Sequence, residues 1–268
     1  MCYEGAETLT RGCLRLFGGI MDLKQFFSEN PKAAIAFSGG VDSAYLLYMA
    51  VQCGAQVKAY YVKSAFQPQF ELNDANALAE QLGAQMEVLP LEILCNEAVT
   101  ANPTDRCYLC KKEIFKTIFT AAQTDGFELL LDGTNASDDA GDRPGMKALT
   151  ELSVRSPLRE CGLIKAEIRR LSKEAGLFTH DKPAYACLAT RIPTGETITA
   201  EKLRRTEAAE AYLTSLGLQN FRVRSFGDTA KIQVTTSDFS VILEQREAIV
   251  KRLTQEYSSV LLDLEVRK

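Results

Sequence analysis

A short run of small and apolar residues, Ala33-Ala-Ile-Ala-Phe37, leads straight into Ser38-Gly-Gly-Val-Asp-Ser43. An apolar segment, 44–53, follows, with Gly54 behind it. The first run reads as a buried strand and the second as a helix stopped by glycine. The hexapeptide between them must therefore turn tightly from strand to helix. Gly39 and Gly40 permit close backbone approach and positive φ. The loop amides and the positive end of the helix dipole together make an anion site. Ser38 and Ser43 add hydroxyl donors. Asp42 would repel a bare phosphate, and suits one bridged by Mg2+. A capped turn with no ligand needs only the two glycines. The whole hexapeptide in this strand-to-helix setting favours phosphate binding. No Gly-Lys-Ser/Thr follows, so this is not a Walker A loop, and the Rossmann glycine spacing is absent.

The alternation continues along the chain. Segments 57–62, 85–89, 127–132 and 154–157 read as further strands, and 70–82, 111–122 and 165–175 as helices, two of them followed by Gly83 and Gly176. Strands alternating with helices predict a mostly parallel sheet covered on both faces. After about residue 198 the order changes to helix (201–216), two strands (221–226, 230–235), helix (239–253) and strand (260–266). The expected organisation is an N-terminal extension over 1–20, an α/β domain over 21–192, and a small α+β domain over 199–268. A linker at 191–199 carries Pro193 and Gly195. In a doubly wound sheet, ligands sit beyond the carboxyl ends of the strands. That makes Val62 and Ser64 after the second strand, and Gly133, Thr134, Asn135 and Asp138 after the fourth, candidates for nucleotide contact.

Eight cysteines spread over 268 residues are too sparse for a disulfide framework, so functional cysteines read as catalytic or metal-binding. Cys107 and Cys110 form the one close pair. A Cys-x-x-Cys before a helix is redox-active, metal-binding, or simply two structural thiols. Cys187 lies between alanines, where a buried small hydrophobe is the plain reading. Lys182 and Arg191 flank it, and positive neighbours are expected to lower its pKa. The single histidine, His180, leaves little room for histidine-based chemistry. Arg106, Lys111 and Arg143 suit substrate phosphate or carboxylates. Arg222 and Arg224 alternate along one strand and share a face: either a solvated face or a phosphate-binding surface. Glu210 fits a charged helix face.

The hexapeptide resembles the SGGxDS signature of the PP-loop ATP pyrophosphatases. Arg106-Cys-Tyr-Leu-Cys-Lys111, Asp132-Gly-Thr-Asn-Ala-Ser-Asp138, Asp142-Arg-Pro-Gly145, Arg155-Ser-Pro-Leu158 and the segment 182–193 around Cys187 follow in order. Together they resemble the LarE family, ATP-dependent sulfur transferases of nickel-pincer nucleotide biosynthesis. The resemblance runs from about Met21 to the C-terminus. It implies the adenine nucleotide alpha hydrolase-like fold, with Ser38, Gly39, Gly40, Asp42, Ser43, Val62, Ser64, Gly133 and Asn135 on ATP and Mg2+ on Asp42. It implies that ATP adenylates a carboxylate of a pyridinium-3,5-biscarboxylate mononucleotide. The thiol of Cys187 then attacks, and its carbon–sulfur bond breaks to leave a thiocarboxylate and dehydroalanine. Cluster-bearing relatives imply a second route, in which Cys107, Cys110 and Cys187 hold a [4Fe–4S] cluster that carries the sulfide. Arg143, Arg191, Arg222 and Arg224 become candidates for the substrate's phosphate. Homo-oligomers and partner enzymes of nickel-pincer cofactor synthesis are implied as well.

Two other readings compete. Another PP-loop enzyme is one, such as a tRNA thiolase or an amide-forming ligase. The net charge of −4 disfavours nucleic acid as a partner, and the length leaves no room for an amidotransferase domain. A non-enzymatic ATP- or metal-sensing module is the other, disfavoured by the intact hexapeptide and Cys187. No apolar run approaches the ~20 residues of a membrane span, and residues 1–20 do not read as a secretory signal. The expectation is a cytoplasmic enzyme.

Overall fold

The computed structural model describes residues 22–138 and 144–267. The expected N-terminal extension and Arg143 lie outside them. In chain order the elements are α1 (Leu23–Glu29), β1 (Lys32–Ala36), α2 (Val41–Gln52), β2 (Gln56–Lys63), α3 (Gln69–Leu82), β3 (Gln85–Pro90), α4 (Glu97–Thr100), α5 (Arg106–Thr124) and β4 (Leu130–Leu131). There follow α6 (Pro144–Glu151), α7 (Pro157–Glu160), α8 (Lys165–Glu174), α9 (Ala200–Ser215), β5 (Arg222–Phe226), β6 (Thr229–Gln233), α10 (Phe239–Glu244), α11 (Arg246–Leu253) and β7 (Ser259–Leu262).

The first sheet is parallel throughout, in the order β3-β2-β1-β4. Its central strands, β1 and the second half of β2, are buried on both sides, as helices on both faces require. Alternate residues divide between two cores. Ile35 and Tyr61 join Phe26, Leu46, Leu78 and Ile168 on one face. Ala34, Tyr60 and Val62 join Phe115, Ile118 and Leu149 on the other. The sheet is therefore a rigid floor whose carboxyl edge carries the phosphate loop.

Two departures from the expected elements have clear causes. The fifth strand reduces to one parallel bridge, between Leu131 and Arg155, because Pro157 has no amide to donate and opens α7 instead. The helix expected at 111–122 starts earlier, at Arg106, so Cys107 and Cys110 lie within its first turns rather than before them. A third departure is a break at Gln245, where α10 ends and α11 begins.

The C-terminal residues build a second sheet, β5-β6-β7, with β5 antiparallel and β7 parallel to β6. Ala209 and Leu213 of α9 pack on it with Ile242, Ile249 and Leu253. A smaller apolar cluster links the two sheets' surroundings. Phe66, Val99, Cys110, Leu188, Ile192 and Leu203 are buried in it. Among the described residues no helix is long and apolar enough to cross a membrane.

Candidate active site

A cavity of about 470 Å3 opens at the carboxyl edge of the first sheet. Ser38, Gly40, Asp42 and Ser43 form its floor, Val62 and Gly133 its sides, and Cys187 part of its far wall. The loop is stitched by its own serines. Ser43 Oγ donates to the Gly40 carbonyl at 3.1 Å and lies 3.1 Å from Ser38 Oγ. Gly39 has φ +70°, and a Cβ there would stand 3.2 Å from Ala75 Cβ of α3. Gly133 is constrained more severely. A Cβ on it would meet the Ser43 amide nitrogen at 2.8 Å, so only glycine lets the end of β4 touch the start of α2. The first amides of α2 have no partner inside the helix and point to the cavity floor as anion donors.

Asp42 sits in the first turn of α2. Its Oδ2 accepts from Lys165 Nζ at 2.5 Å. Its Oδ1 is buried with no hydrogen-bond partner among the described residues. Burial raises the Asp42 pKa, and Lys165 opposes that rise; Asn135 lowers it too, from beside the carboxylate. An orphaned carboxylate oxygen beside an anion-binding loop fits a divalent cation, for which oxygen donors are the right chemistry.

Of the expected nucleotide contacts, Ser38, Gly40, Asp42, Ser43, Val62, Gly133, Thr134 and Asp138 line the cavity. Gly39 and Asn135 do not line it: Gly39 packs against Ala75 of α3, and Asn135 lies beside the Asp42 carboxylate. Ser64 is buried and donates to Gln67 Oε1 at 2.7 Å, so it shapes the turn after β2 rather than the cavity wall. Lys111 lines the cavity. Arg106 does not: it is buried, donating to Asn102 Oδ1 at 2.7 Å and to the Ala189 carbonyl at 2.9 Å.

Cys187 is carried on a strap, residues 180–190, that lacks regular ladder bonds. Arginines grip its carbonyls instead. Arg169 donates to the carbonyls of His180 (2.6 Å) and Lys182 (2.8 Å). Arg222 donates to Ala184 (2.7 Å), Arg191 to Ala186 (2.9 Å) and Arg224 to Thr190 (2.8 Å). Arg191 is only 1% exposed and is ion-paired to Glu210, itself 5% exposed, at 2.8 Å. Glu210 also accepts from Tyr185 OH at 2.5 Å and from the Val223 amide at 2.9 Å. Arg222 and Arg224, expected either on a solvated face or on a phosphate-binding surface, are instead inward clamps on the strap, and neither lines this cavity. Arg222 lies over the Tyr185 ring, and its pKa is lowered to about 10 by burial and then by Arg191 and Arg267. Arg191 is an internal clamp as well. Glu210, read as part of a charged helix face, is the buried hub of this network.

The expected thiol activation is also reversed. Cys187 is half-buried, and the crowding around its thiol raises its pKa; Arg106, the Thr190 amide and Arg191 oppose the rise. Lys182 is ion-paired to Asp74 at 2.6 Å. Cys110 is buried and pushed up to about 12, chiefly by burial and then by Cys187. Cys107 is exposed. The cysteines at 107, 110 and 187 feel one another's charge. Yet no three His, Cys, Asp or Glu side chains among the described residues are grouped to hold a metal ion. This arrangement does not fit the expected [4Fe–4S] cluster.

Sequence reasoning passed over Lys165, Arg169, Glu71 and Tyr61, all of which line the cavity. A signal existed for the first two. Lys165 and Arg169 are four apart at the start of an amphipathic helix and so share a face.

A parallel sheet with a strand–SGGVDS–helix loop at its carboxyl edge defines a PP-loop nucleotide-binding protein. In keeping with this, residues 32–123 match the family described as queuosine biosynthesis protein QueC. The chain is 34% identical over 238 residues to the pyridinium-3,5-bisthiocarboxylic acid mononucleotide synthase of Lactiplantibacillus plantarum, covering 87% of this chain and 86% of that protein. The chain belongs to the LarE family, a family of PP-loop enzymes. It is also 38% identical to an uncharacterized protein of Synechocystis over 251 residues, 91% of this chain and 92% of that one. The tRNA-specific 2-thiouridylase MnmA of Thermotoga petrophila is more distant. It is 26% identical over 196 residues, 56% of this chain and 54% of that protein.

Proposed function

We propose that this chain is an ATP-dependent sulfur transferase that converts carboxylates of a pyridinium-3,5-biscarboxylate mononucleotide into thiocarboxylates. The observation that carries the reading is one cavity with the phosphate loop on its floor and a cysteine, Cys187, in its wall. The 34% identity to the synthase supports the acceptor's class.

The chemistry follows from that placement. The loop amides, Ser38 and Ser43 hold the β and γ phosphates of ATP, leaving the α phosphorus toward the strap. Asp42 is the residue that would hold Mg2+, which would neutralise phosphate charge on the leaving pyrophosphate. A substrate carboxylate oxygen attacks the α phosphorus, and pyrophosphate departs. The acyl adenylate is the better electrophile, with AMP as its leaving group. Cys187 loses its proton, and Sγ attacks the acyl carbon as AMP leaves, forming a thioester. Loss of the Cys187 Hα proton to base and cleavage of Cβ–Sγ then release the thiocarboxylate, with dehydroalanine left in the chain. Cys187 as the donor atom accords with a cysteine trio that is not gathered as cluster ligands. We further propose that 21–192 and 199–268 are separate folding units.

The test is intact-protein mass after turnover with ATP and the pyridinium substrate. The donor reading expects a loss of about 34 Da per chain, the mass of the hydrogen sulfide removed when cysteine becomes dehydroalanine. Repeated turnover at constant mass with added sulfide would instead favour an external sulfur source. Failure to release pyrophosphate with this acceptor would redirect the reading to another PP-loop substrate.

A further inference from the structure

Tyr61 is 2% exposed, lines the cavity, and its hydroxyl finds no hydrogen-bond partner among the described residues. A buried phenol normally has a partner, and leaving it without one costs roughly 1–3 kcal/mol. A second cavity-lining donor stands nearby, ion-paired but likewise without a hydrogen bond. Lys182 Nζ is 2.6 Å from Asp74, in a geometry that makes no hydrogen bond. The third group on this wall is the carboxyl of Glu71, in the first turn of α3. Glu71 and Asp74 act electrostatically on Tyr61, and Lys182 and Asp74 act on Glu71, so the groups form one cluster. The cluster lies away from Val62, which faces the opposite core, and on the side where Gly39 touches α3.

We infer that Tyr61 and Lys182, with Glu71 beside them, form a carboxylate subsite that binds the acceptor's second carboxylate while the first is being activated. The inference rests on the acceptor class proposed above. An anionic oxygen suits both the unpartnered Tyr61 hydroxyl and the Lys182 ammonium, which is held by charge to Asp74 without a hydrogen bond, and a pyridinium dicarboxylate has one to spare when its partner group faces ATP. The Lys182 ammonium supplies charge, and the Tyr61 hydroxyl supplies direction. Glu71 is pushed up to about 7, mainly by burial, so near neutrality its carboxyl holds a proton that an incoming carboxylate accepts. The groups acting on Glu71 are Lys182, Asp74, Arg191 and Lys63. The subsite would select dicarboxylates over monocarboxylates and fix the ring in one orientation.

The experiment is calorimetric titration without ATP, so that no turnover occurs. The probes are the pyridinium-3,5-biscarboxylate mononucleotide, its 3-monocarboxylate analogue and, separately, ATP. Tyr61→Phe should weaken the dicarboxylate by roughly 10-fold or more, the worth of a hydrogen bond to a charged group. It should leave the monocarboxylate and ATP unchanged. Its melting temperature should stay level or rise, because it deletes a buried hydroxyl that lacks a partner. Lys182→Gln should weaken the dicarboxylate in the same selective way. Equal weakening of both acceptors, weakening of ATP alone, an unchanged dicarboxylate affinity, or a fall in melting temperature for Tyr61→Phe would each overturn the subsite. If the wild type binds neither acceptor, the acceptor class fails and takes the subsite with it. If the wild type prefers the dicarboxylate and Tyr61→Phe does too, the subsite alone fails.

Discussion

The phosphate loop and the Cys187 strap face each other across one cavity, yet they are built on opposite principles. The loop is local. Six consecutive residues, backbone amides and two serines complete it, and the sheet beneath needs only to hold β1 and α2 in place. The strap is assembled from a distance. Its carbonyls are gripped by Arg169 from α8, by Arg191 just beyond it, and by Arg222 and Arg224 from β5, with Glu210 of α9 buried behind. A local device tolerates most change elsewhere in the chain, Gly133 excepted. A distributed one fails when any buried clamp loses its counter-charge.

The largest effect is expected at the strap's working atom. Cys187→Ala should lower thiocarboxylate formation by about 1000-fold or more, while pyrophosphate release continues at the loop. Loss of both activities together would mean that the two regions are not separable. Next in size is Glu210→Ala, which strands Arg191 in the interior. A buried pair broken on one side costs roughly 3–5 kcal/mol, readable by urea unfolding. A cost below about 1 kcal/mol, the range of an exposed pair, would place Glu210 back among surface charges.

Asp42→Ala sharpens the comparison from the other side. Pyrophosphate release should fall by about 100-fold, the effect of removing one strong electrostatic contact at a reacting phosphate. Stability should change by less than about 1 kcal/mol, since one Asp42 oxygen has no partner to lose and the other is paired to the solvent-accessible Lys165. The smallest effect is a pH dependence at the wall between the two regions. Glu71 rises from an ordinary 4.5 to about 7 in the folded protein. Between those values the folded chain holds a proton that the unfolded chain has lost. Its contribution is present below pH 4.5 and is lost as the pH rises through 7. Glu71→Gln should flatten that slope in urea unfolding measured from about pH 4 to pH 8; an unchanged slope would remove Glu71 as its source.

The same contrast explains what could be read from the sequence. The parallel sheet and the phosphate loop were legible because strand, glycines and helix are contiguous, and their periodicity names each element. That Cys187 would lie beside the phosphate loop's cavity was legible through its surrounding motif. Its electrostatics were not: Lys182, close in sequence, turns away to Asp74, while Arg106, far in sequence, turns toward it. Glu210 was passed over because a glutamate on a charged helix carries no mark of burial. The mark is Arg191, nineteen positions earlier, and only the fold brings the two together. Tyr61 was hidden for a similar reason, since an aromatic in a buried strand reads as core and its hydroxyl is silent in sequence.

The strap's dependence on Arg222 and Arg224 also sets an order of assembly during synthesis. Chains emerge N-terminal end first, and their parts fold as they appear. Everything the phosphate loop touches, from β1 to β4 and α8, leaves the ribosome before residue 175. The carbonyls at Ala184 and Thr190 must wait for β5, more than thirty residues later. On the function proposed above, a nascent chain would thus meet ATP before Cys187 is set in place, and its sulfur would be the last part to be armed.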